Sequence, residues 1–315
     1  MTQIRKTADH LLLLGHPPAS DFFQVMRTRA RGGAALESGG LVHEWRAARA
    51  YVRQLEKREA GLADDLPLKD LPSEMAQAAE VCLNDPAIEE ANRMMPRRWV
   101  WVELDRVAVF QKCIDLAWVR AIQTRLGRVP SAEDIVNVAA GTDVKLPGIE
   151  VVRSTEDSYV FSCNSSELQF FGTKLFDPTV LPRELSRGNV GQVLAAFVGF
   201  GLRTLSVVRL HGRLILLNGT HRAYALRDLG LSHVPCLLVD VEHPDELELA
   251  GVGQTRSLIE HCARVPRPPL FKDYFDSRQC KLVSLERTRR AIQMQITCTS
   301  LRIPRNVAGD RPAVG

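Results

Sequence analysis

The chain has 315 residues, more than one compact domain commonly holds, so its length favours two domains. A composition of 45% hydrophobic and 25% charged residues is ordinary for a soluble globular protein. The net charge of +4 leaves basic and acidic residues nearly balanced, so it does not demand a nucleic-acid partner.

The cysteines and apolar runs give a first expectation about location. Seven cysteines are scattered singly without a Cys-x-x-Cys pair, which is typical of reduced thiols in a cytoplasmic protein. The run Leu11–Leu14 is too short for a signal peptide, and Val193–Leu202 is too short to cross a bilayer. We therefore expect a cytoplasmic protein without a membrane partner.

Residues 1–145 are predicted to form a mainly helical domain. Val42, Trp45, Val52 and Leu55 recur at helical spacing, after a glycine-rich stretch (32–40) that we interpret as a flexible connector. This half contains no metal-ligand or catalytic-triad spacing, so we expect it to pack against another domain or chain.

Two helix starts in this half have specific capping residues. Asp115 is a candidate N-cap for a helix that buries Val119, Ile122 and Leu126, and Gly127 is its expected end. Ser131 and Asp134 have the spacing of a capping box at the start of the next helix.

Residues 146–263 are predicted to form a mixed αβ domain. Short strands are expected near residues 149–152, 159–162 and 168–171. Two further strands, Ser206–Leu210 and Arg213–Leu217, flank the turn His211-Gly212. A helix over 223–229 that ends at Gly230 and a buried strand over 237–241 follow.

Residues 264–315 are predicted to form an extended C-terminal segment. Arg264–Leu270 is proline-rich, whereas Ile292, Met294, Ile296 and Cys298 alternate with polar residues as in a half-buried strand. The composition from about Asn306 onward is that of a disordered tail. The expected fold class is thus α+β, with a helical N-terminal region, a mixed αβ domain and a C-terminal extension containing a strand.

The sequence Asn218-Gly219-Thr220-His221-Arg222 lies between a predicted strand and a predicted helix. A glycine there permits a sharp turn, and the first turn of a helix presents unpaired amides that favour an anion. Thr220 could cap the helix or donate to a phosphate oxygen, His221 could add a donor, and Arg222 could form two parallel hydrogen bonds. Asn-Gly is also an ordinary turn, so an anion site and a purely structural turn both remain open.

The segment from about Leu168 to Val241 resembles the N-terminal domain of ParB partition proteins and the related sulfiredoxins and free serine kinases. The matching residues follow in the family's order. They are Phe176-Asp177-Pro178, Leu181-Pro182-Arg183, a helix around Val193–Phe197 with Gly201, the hairpin, Gly219 to Leu226, Leu229-Gly230 and Val234-Pro235. The resemblance implies that Gly219, Thr220, His221 and Arg222, with Asn218 before them, grip the phosphates of ATP, ADP or CTP with Mg²⁺.

The departures from this family remove its closest chemistries. Thr220 stands where sulfiredoxins have their catalytic cysteine, and Thr220-His221 replaces the Glu-Arg of the ParB motif. Asn218 replaces the aspartate of the free serine kinases, and residues 242–315 show no convincing helix-turn-helix. Asp177 and Glu184 are the candidate catalytic acids, and the sequence assigns neither of them a base role.

Three functional hypotheses follow. The first is a nucleotide-binding protein, either a small-molecule phosphotransferase or an NTPase, which positions phosphates at the turn. The second is a non-catalytic subunit of an assembly or a homo-oligomer, joined through the helical N-terminal half or the C-terminal strand. The third, a nucleic-acid-binding regulator, ranks last because the chain has neither a basic cluster nor a reading helix.

Overall fold

The computed structural model describes residues 7–30, 38–142, 145–165, 168–180, 190–287 and 289–302. Its architecture confirms the α+β class. The helices are α1 (Ala19–Arg29), α2 (Ser38–Arg58), α3 (Ser73–Leu83), α4 (Pro86–Met94), α5 (Leu116–Leu126), α6 (Ala132–Ala140), α7 (Thr220–Asp228), α8 (Glu246–Leu249) and α9 (Arg256–Arg264). The strands are β1 (Thr7–Leu13), β2 (Arg97–Glu103), β3 (Cys113–Asp115), β4 (Glu150–Thr155), β5 (Ser158–Cys163), β6 (Leu168–Phe176), β7 (Val193–Phe200), β8 (Ser206–Leu210), β9 (Arg213–Asn218), β10 (His233–Asp240), β11 (Cys280–Glu286) and β12 (Arg290–Gln295).

The chain divides into two compact units, each built from two separate stretches. Unit 1 comprises residues 1–146 and 202–287, and unit 2 comprises residues 147–201 and 288–315. This division differs from the three consecutive segments expected from the sequence. The reason is strand pairing. Inside unit 1, β2 pairs with β10 and β11 pairs with β1, and inside unit 2, β12 pairs with β5.

The central sheet of unit 1 has the strand order β2-β10-β8-β9. β10 pairs antiparallel with β2 and parallel with β8, and β8 forms a hairpin with β9. Both faces of the sheet are buried, since Val207 enters one hydrophobic core and its neighbour Val208 enters the other. Helices α3, α5, α6 and α7 cover the first face, while α8 and α9 cover the second.

A second sheet of unit 1 has the order β11-β1-β3, with β1 antiparallel to both neighbours. Ala8, His10 and Leu12 of β1 alternate toward the interior. The prediction of a helical N-terminal half is therefore incomplete, because β1, β2 and β3 also lie there. The stretch Gly39-Gly40, interpreted as part of a connector, belongs to the first turn of α2.

Several local predictions are confirmed. The Asp115 side chain accepts a hydrogen bond from the Ala117 amide at 2.8 Å and caps α5, which ends at Gly127. Ser131 and Asp134 form the capping box of α6. His211 and Gly212 both have positive φ in the β8–β9 turn, as a two-residue hairpin requires.

Unit 2 contains a three-stranded sheet of order β12-β5-β4 and a two-stranded ribbon, β6-β7. The family resemblance predicts a helix around Val193–Phe197, which is wrong, because these residues belong to β7. β7 pairs with β6 from Phe176–Val193 to Leu168–Phe200, so one edge of its main chain is hydrogen-bonded to β6, and valine and phenylalanine are favoured in such a strand. The predicted C-terminal strand is β12, whereas the tail from Asn306 lies outside the described residues.

Among the described helices, none is both long and apolar enough to span a bilayer. All seven cysteines are free thiols.

Candidate functional site

Gly219 links β9 to α7 in a left-handed conformation, with φ of +88°. A Cβ at this position would lie 2.9 Å from the Leu205 Cα, closer than real Cβ atoms approach other heavy atoms. A glycine is therefore required for two reasons, the positive φ and the close approach of Leu205, the residue before β8. This requirement exists whether or not the turn binds a ligand.

Both the nitrogen and the oxygen of the Asn218 side-chain amide form hydrogen bonds within the protein. Its Nδ2 donates to the Leu202 carbonyl at 2.7 Å, and its Oδ1 accepts from the Gly219 amide at 2.7 Å. Asn218 thus ties the turn to the chain that leads into β8.

Thr220 is the first residue of α7 and is 4% exposed. The expectation that Thr220 caps the helix is wrong, because Gly219 occupies the N-cap position and has no side chain to offer. The first turn of α7 consequently has no side-chain cap, although Thr220 and Ala223 within it are buried.

His221 uses its ring nitrogen to hold the start of another helix. Its Nε2 accepts a hydrogen bond from the Asp115 amide at 3.0 Å, and the Asp115 carboxylate lies 3.7 Å from Nε2 of His10. Burial lowers the pKa of His221 to about 4, helped by His10 and Arg222 and opposed by Asp115. His221 is therefore neutral near pH 7 and supplies no positive charge for a phosphate.

Arg222 reaches the opposite side, where α6 ends. Its Nη1 contacts the carbonyl oxygens of Val138 at 3.4 Å and Ala139 at 3.5 Å. Those carbonyls form the negative end of the helix dipole, which a guanidinium stabilises. Gly141, in the left-handed conformation, makes room, because a Cβ there would lie 2.8 Å from the same Nη1.

The turn therefore connects three parts of unit 1 through Asn218, His221 and Arg222. An open cavity of about 370 Å³ lies beside the end of α6, and no residue of the turn lines it. Its lining consists of Arg125, Leu126, Asp134, Asn137, Val138 and Thr142. The part of the turn that an anion could still engage is the uncapped first turn of α7.

Of the two candidate catalytic acids, one lies in unit 2 and the other lies outside the described residues. Asp177 belongs to unit 2, where its Oδ1 accepts hydrogen bonds from the amide and hydroxyl of Thr179 at 2.9 and 2.6 Å. The hydroxyl of Thr179 is the main cause of the lowered pKa of Asp177, so the carboxyl is ionised and locally bound. Glu184 lies outside the described residues. Within the described residues no group of three or more metal-ligating side chains occurs.

The β6-β7 ribbon presents a second candidate site that the sequence reasoning missed. Pairing places Phe170 opposite Val198, Thr173 opposite Ala196, and Leu175 opposite Leu194. Successive side chains of a strand alternate between faces, and a bulge between Phe170 and Gly172 shifts the register by one residue. The bulge therefore brings the side chains of these three pairs onto one face, which we call face A.

Face A is apolar, uncharged and largely exposed. Leu175 and Leu194 are 63% and 62% exposed, and Phe170 is 43% exposed. The one charged residue of the ribbon, Lys174, lies on the opposite face, where its Nζ is 5.6 Å from the centre of the Phe176 ring. The uncharged sequence of β7 is a signal of this surface, but an uncharged apolar run equally fits a buried helix.

Comparisons with protein-family models, curated proteins and solved structures yield no match to this chain. The resemblance to ParB and sulfiredoxin domains thus rests on the residues that carry it and stays a prediction.

Proposed function

We propose that this protein is a non-catalytic subunit that binds another protein surface through face A. The observation that carries the proposal is the uncharged, exposed face of the ribbon on which the apolar side chains Phe170, Leu175 and Leu194 lie together. The largest contiguous apolar patch on a soluble protein commonly covers a few hundred Å² and is often an interaction site.

The size of face A fits this role. At about 200 Å² for a fully exposed Leu or Phe side chain, its exposed apolar surface amounts to roughly 350 Å². Burying that area contributes roughly 9 kcal/mol at 25 cal/mol per Å², before the entropic cost of association is subtracted. The gain is large enough to offset much of that cost.

The turn at Gly219 fits a structural role in such a subunit. Asn218, His221 and Arg222 each contact main-chain atoms of a different segment, which makes the turn a joint within unit 1. We assign the subunit to the cytoplasm, because its seven cysteines are free thiols.

Site-specific photo-crosslinking in the cells that produce the protein tests this proposal. With p-benzoylphenylalanine in place of Leu175, we expect one discrete protein adduct. The adduct should disappear when Leu194→Lys is added on the same face and persist when Lys174→Glu is added on the opposite face. Absence of any adduct, or indifference to Leu194→Lys, would overturn the proposal.

A second candidate function is binding of ATP, ADP or CTP with Mg²⁺, as in a phosphotransferase or NTPase. It is favoured by the uncapped first turn of α7, because amides at a helix start are commonly satisfied by a ligand or water where no side chain caps them. In this case main-chain amides would hold the phosphate, and Arg222 would have to leave the end of α6.

Calorimetry separates the two candidates. If the turn serves only to connect segments of unit 1, titration with each nucleotide and Mg²⁺ should release no binding heat. Binding heat that is lost in Arg222→Ala and retained in Arg227→Ala would favour the nucleotide function instead. Arg227 is a suitable control because it lies on the same helix and pairs with Asp105.

A further inference from the structure

We infer that the surface bound by face A is face A of a second copy of this chain, so that two ribbons pack against each other about a two-fold axis. This inference rests on the proposed function and specifies its partner.

The chemistry of face A supports an identical partner. Its side chains are apolar apart from the Thr173 hydroxyl, and no charged group lies among them. A partner with a charged surface would lose hydration without gaining an ion pair in return. An identical face leaves no charge unpaired, and the self-complementary two-fold contact is the commonest form of protein oligomer.

The net charge of the chain does not oppose this pairing. Each copy carries a formal charge of +4 spread over 315 residues, which is a modest charge for a chain of this length. The lysine of the ribbon, Lys174, points away from the proposed contact because it alternates with Thr173 and Leu175 along β6.

The area of face A is also that of an interface between two copies. A standard interface buries about 800 Å² on each partner, of which a little over half is apolar. The roughly 350 Å² of face A provides most of that apolar share.

The ribbon itself gains from such a contact. A two-stranded sheet is marginally stable in water, because one of its faces normally requires a layer of side chains to cover it. Two ribbons stacked about 10 Å apart would form the two layers of a small sandwich. The bulge at Phe171 is the device that makes this possible, because without it Phe170 and Leu175 would point to opposite faces.

The test is the mass of the purified full chain in solution, measured by size-exclusion chromatography with light scattering. We expect twice the chain mass of 35.1 kDa. Leu175→Lys and Leu194→Lys should each weaken the dimer about 100-fold, because each places two like charges in an apolar contact.

Two variants serve as controls. Leu282→Lys makes the same change at a side chain that is 61% exposed in unit 1, and Lys174→Glu changes the charge of the opposite face. Both should remain dimeric. Because Leu175 and Leu194 are exposed, their variants should retain the far-UV circular dichroism of the parent, which excludes unfolding as the cause of dissociation.

The outcomes separate this inference from the proposed function. One outcome is a monomeric chain whose photo-adduct at position 175 contains a different protein. That outcome overturns the inference of a second copy but leaves the protein-binding function standing. A monomeric chain without an adduct overturns both. A dimer that survives Leu175→Lys and Leu194→Lys also overturns the inference, because its interface would lie elsewhere.

Discussion

His221 accepts a hydrogen bond from the main-chain amide of Asp115, so the start of α7 holds the start of α5 across 106 residues of sequence. The imidazole can accept this bond only while Nε2 carries no proton. The contact therefore requires a neutral histidine and makes the joint sensitive to acid.

We expect acid to weaken unit 1 through His221. Its pKa is about 4 in the folded protein and 6.5 when unperturbed, so the unfolded chain binds the proton first as the pH falls. The contribution of His221 to the free energy of unfolding is fully present above about pH 6.5. It is lost as the pH falls toward 4, and the loss reaches about 2 kcal/mol at pH 5. His221→Gln should remove this contribution, because the amide oxygen can accept the same bond without titrating.

Urea unfolding followed by tryptophan fluorescence measures this effect. All four tryptophans, at positions 45, 99, 101 and 118, lie in unit 1, so their emission reports that unit. His10, Asp115 and Arg222 also face His221. They are present in both the parent protein and the His221→Gln variant, so their effects on stability cancel when the two are compared. Equal loss of stability between pH 7.5 and pH 5 in both proteins would contradict the assignment.

Gly219→Ala is expected to destabilise unit 1 by about 3 kcal/mol, because the new Cβ adds a clash with the Leu205 main chain to the cost of a positive φ. Gly230→Ala is the matched control. Gly230 has φ of +98°, and no described atom lies within 4 Å of the position that a new methyl group would occupy, so the variant should cost only the backbone strain of about 1 kcal/mol. Equal losses in the two variants would show that the approach to Leu205 does not matter.

Local features of this fold could be predicted from the sequence. The caps Asp115 and Ser131 and the turn at His211-Gly212 are determined by residues within a few positions, and all three are present. The strand–turn–helix order around Gly219 is predictable for the same reason.

Long-range features could not be predicted in this way. The pairing of β2 with β10 and the contact of Arg222 with the end of α6 join residues far apart in sequence, and no local pattern encodes them. Consequently the Asn218-to-Arg222 motif indicates which donors are present but not that the protein itself occupies them.

The strand β7 illustrates a different limit. Val193–Phe200 is apolar on both faces, so its hydrophobic period cannot distinguish a buried helix from a strand. The pairing with β6 makes this segment a strand, and the bulge at Phe171 sets which side chains share a face. Both are properties of the strand pair rather than of β7 alone.

Asn218→Asp is expected to destabilise unit 1 by about 2 kcal/mol, more than Asn218→Ala. The carboxylate can still accept from the Gly219 amide, but it cannot donate to the Leu202 carbonyl and would place a negative charge against it, whereas alanine removes both bonds without adding a charge. Because a protonated carboxyl can donate again, the excess loss should shrink as the pH is lowered toward 4. Urea unfolding of the three proteins at pH 7.5 and pH 4.5 checks this, and an excess that does not depend on pH would contradict the geometry.

Arg267→Ala is expected to cost about 3–5 kcal/mol, the range typical of breaking a buried ion pair. Arg267 donates to both carboxylate oxygens of Asp273 at 2.7 Å, and both residues are buried. Arg267 and His16 hold the pKa of Asp273 far below its usual range against the effect of burial, so the variant would leave a buried charge without its main partner.

Arg278→Ala provides the matched control for burial. Arg278 also makes a two-pronged contact with one carboxylate, that of Asp276 at 3.0 and 2.9 Å, but its side chain is 65% exposed. Its loss should cost less than about 1 kcal/mol because solvent screens the pair. Chemical denaturation of both variants measures the contrast. If Arg267→Ala lowered the free energy of unfolding no more than Arg278→Ala, water would have to replace the lost guanidinium at Asp273. Asp273 would then be less enclosed than its exposed fraction of 1% indicates.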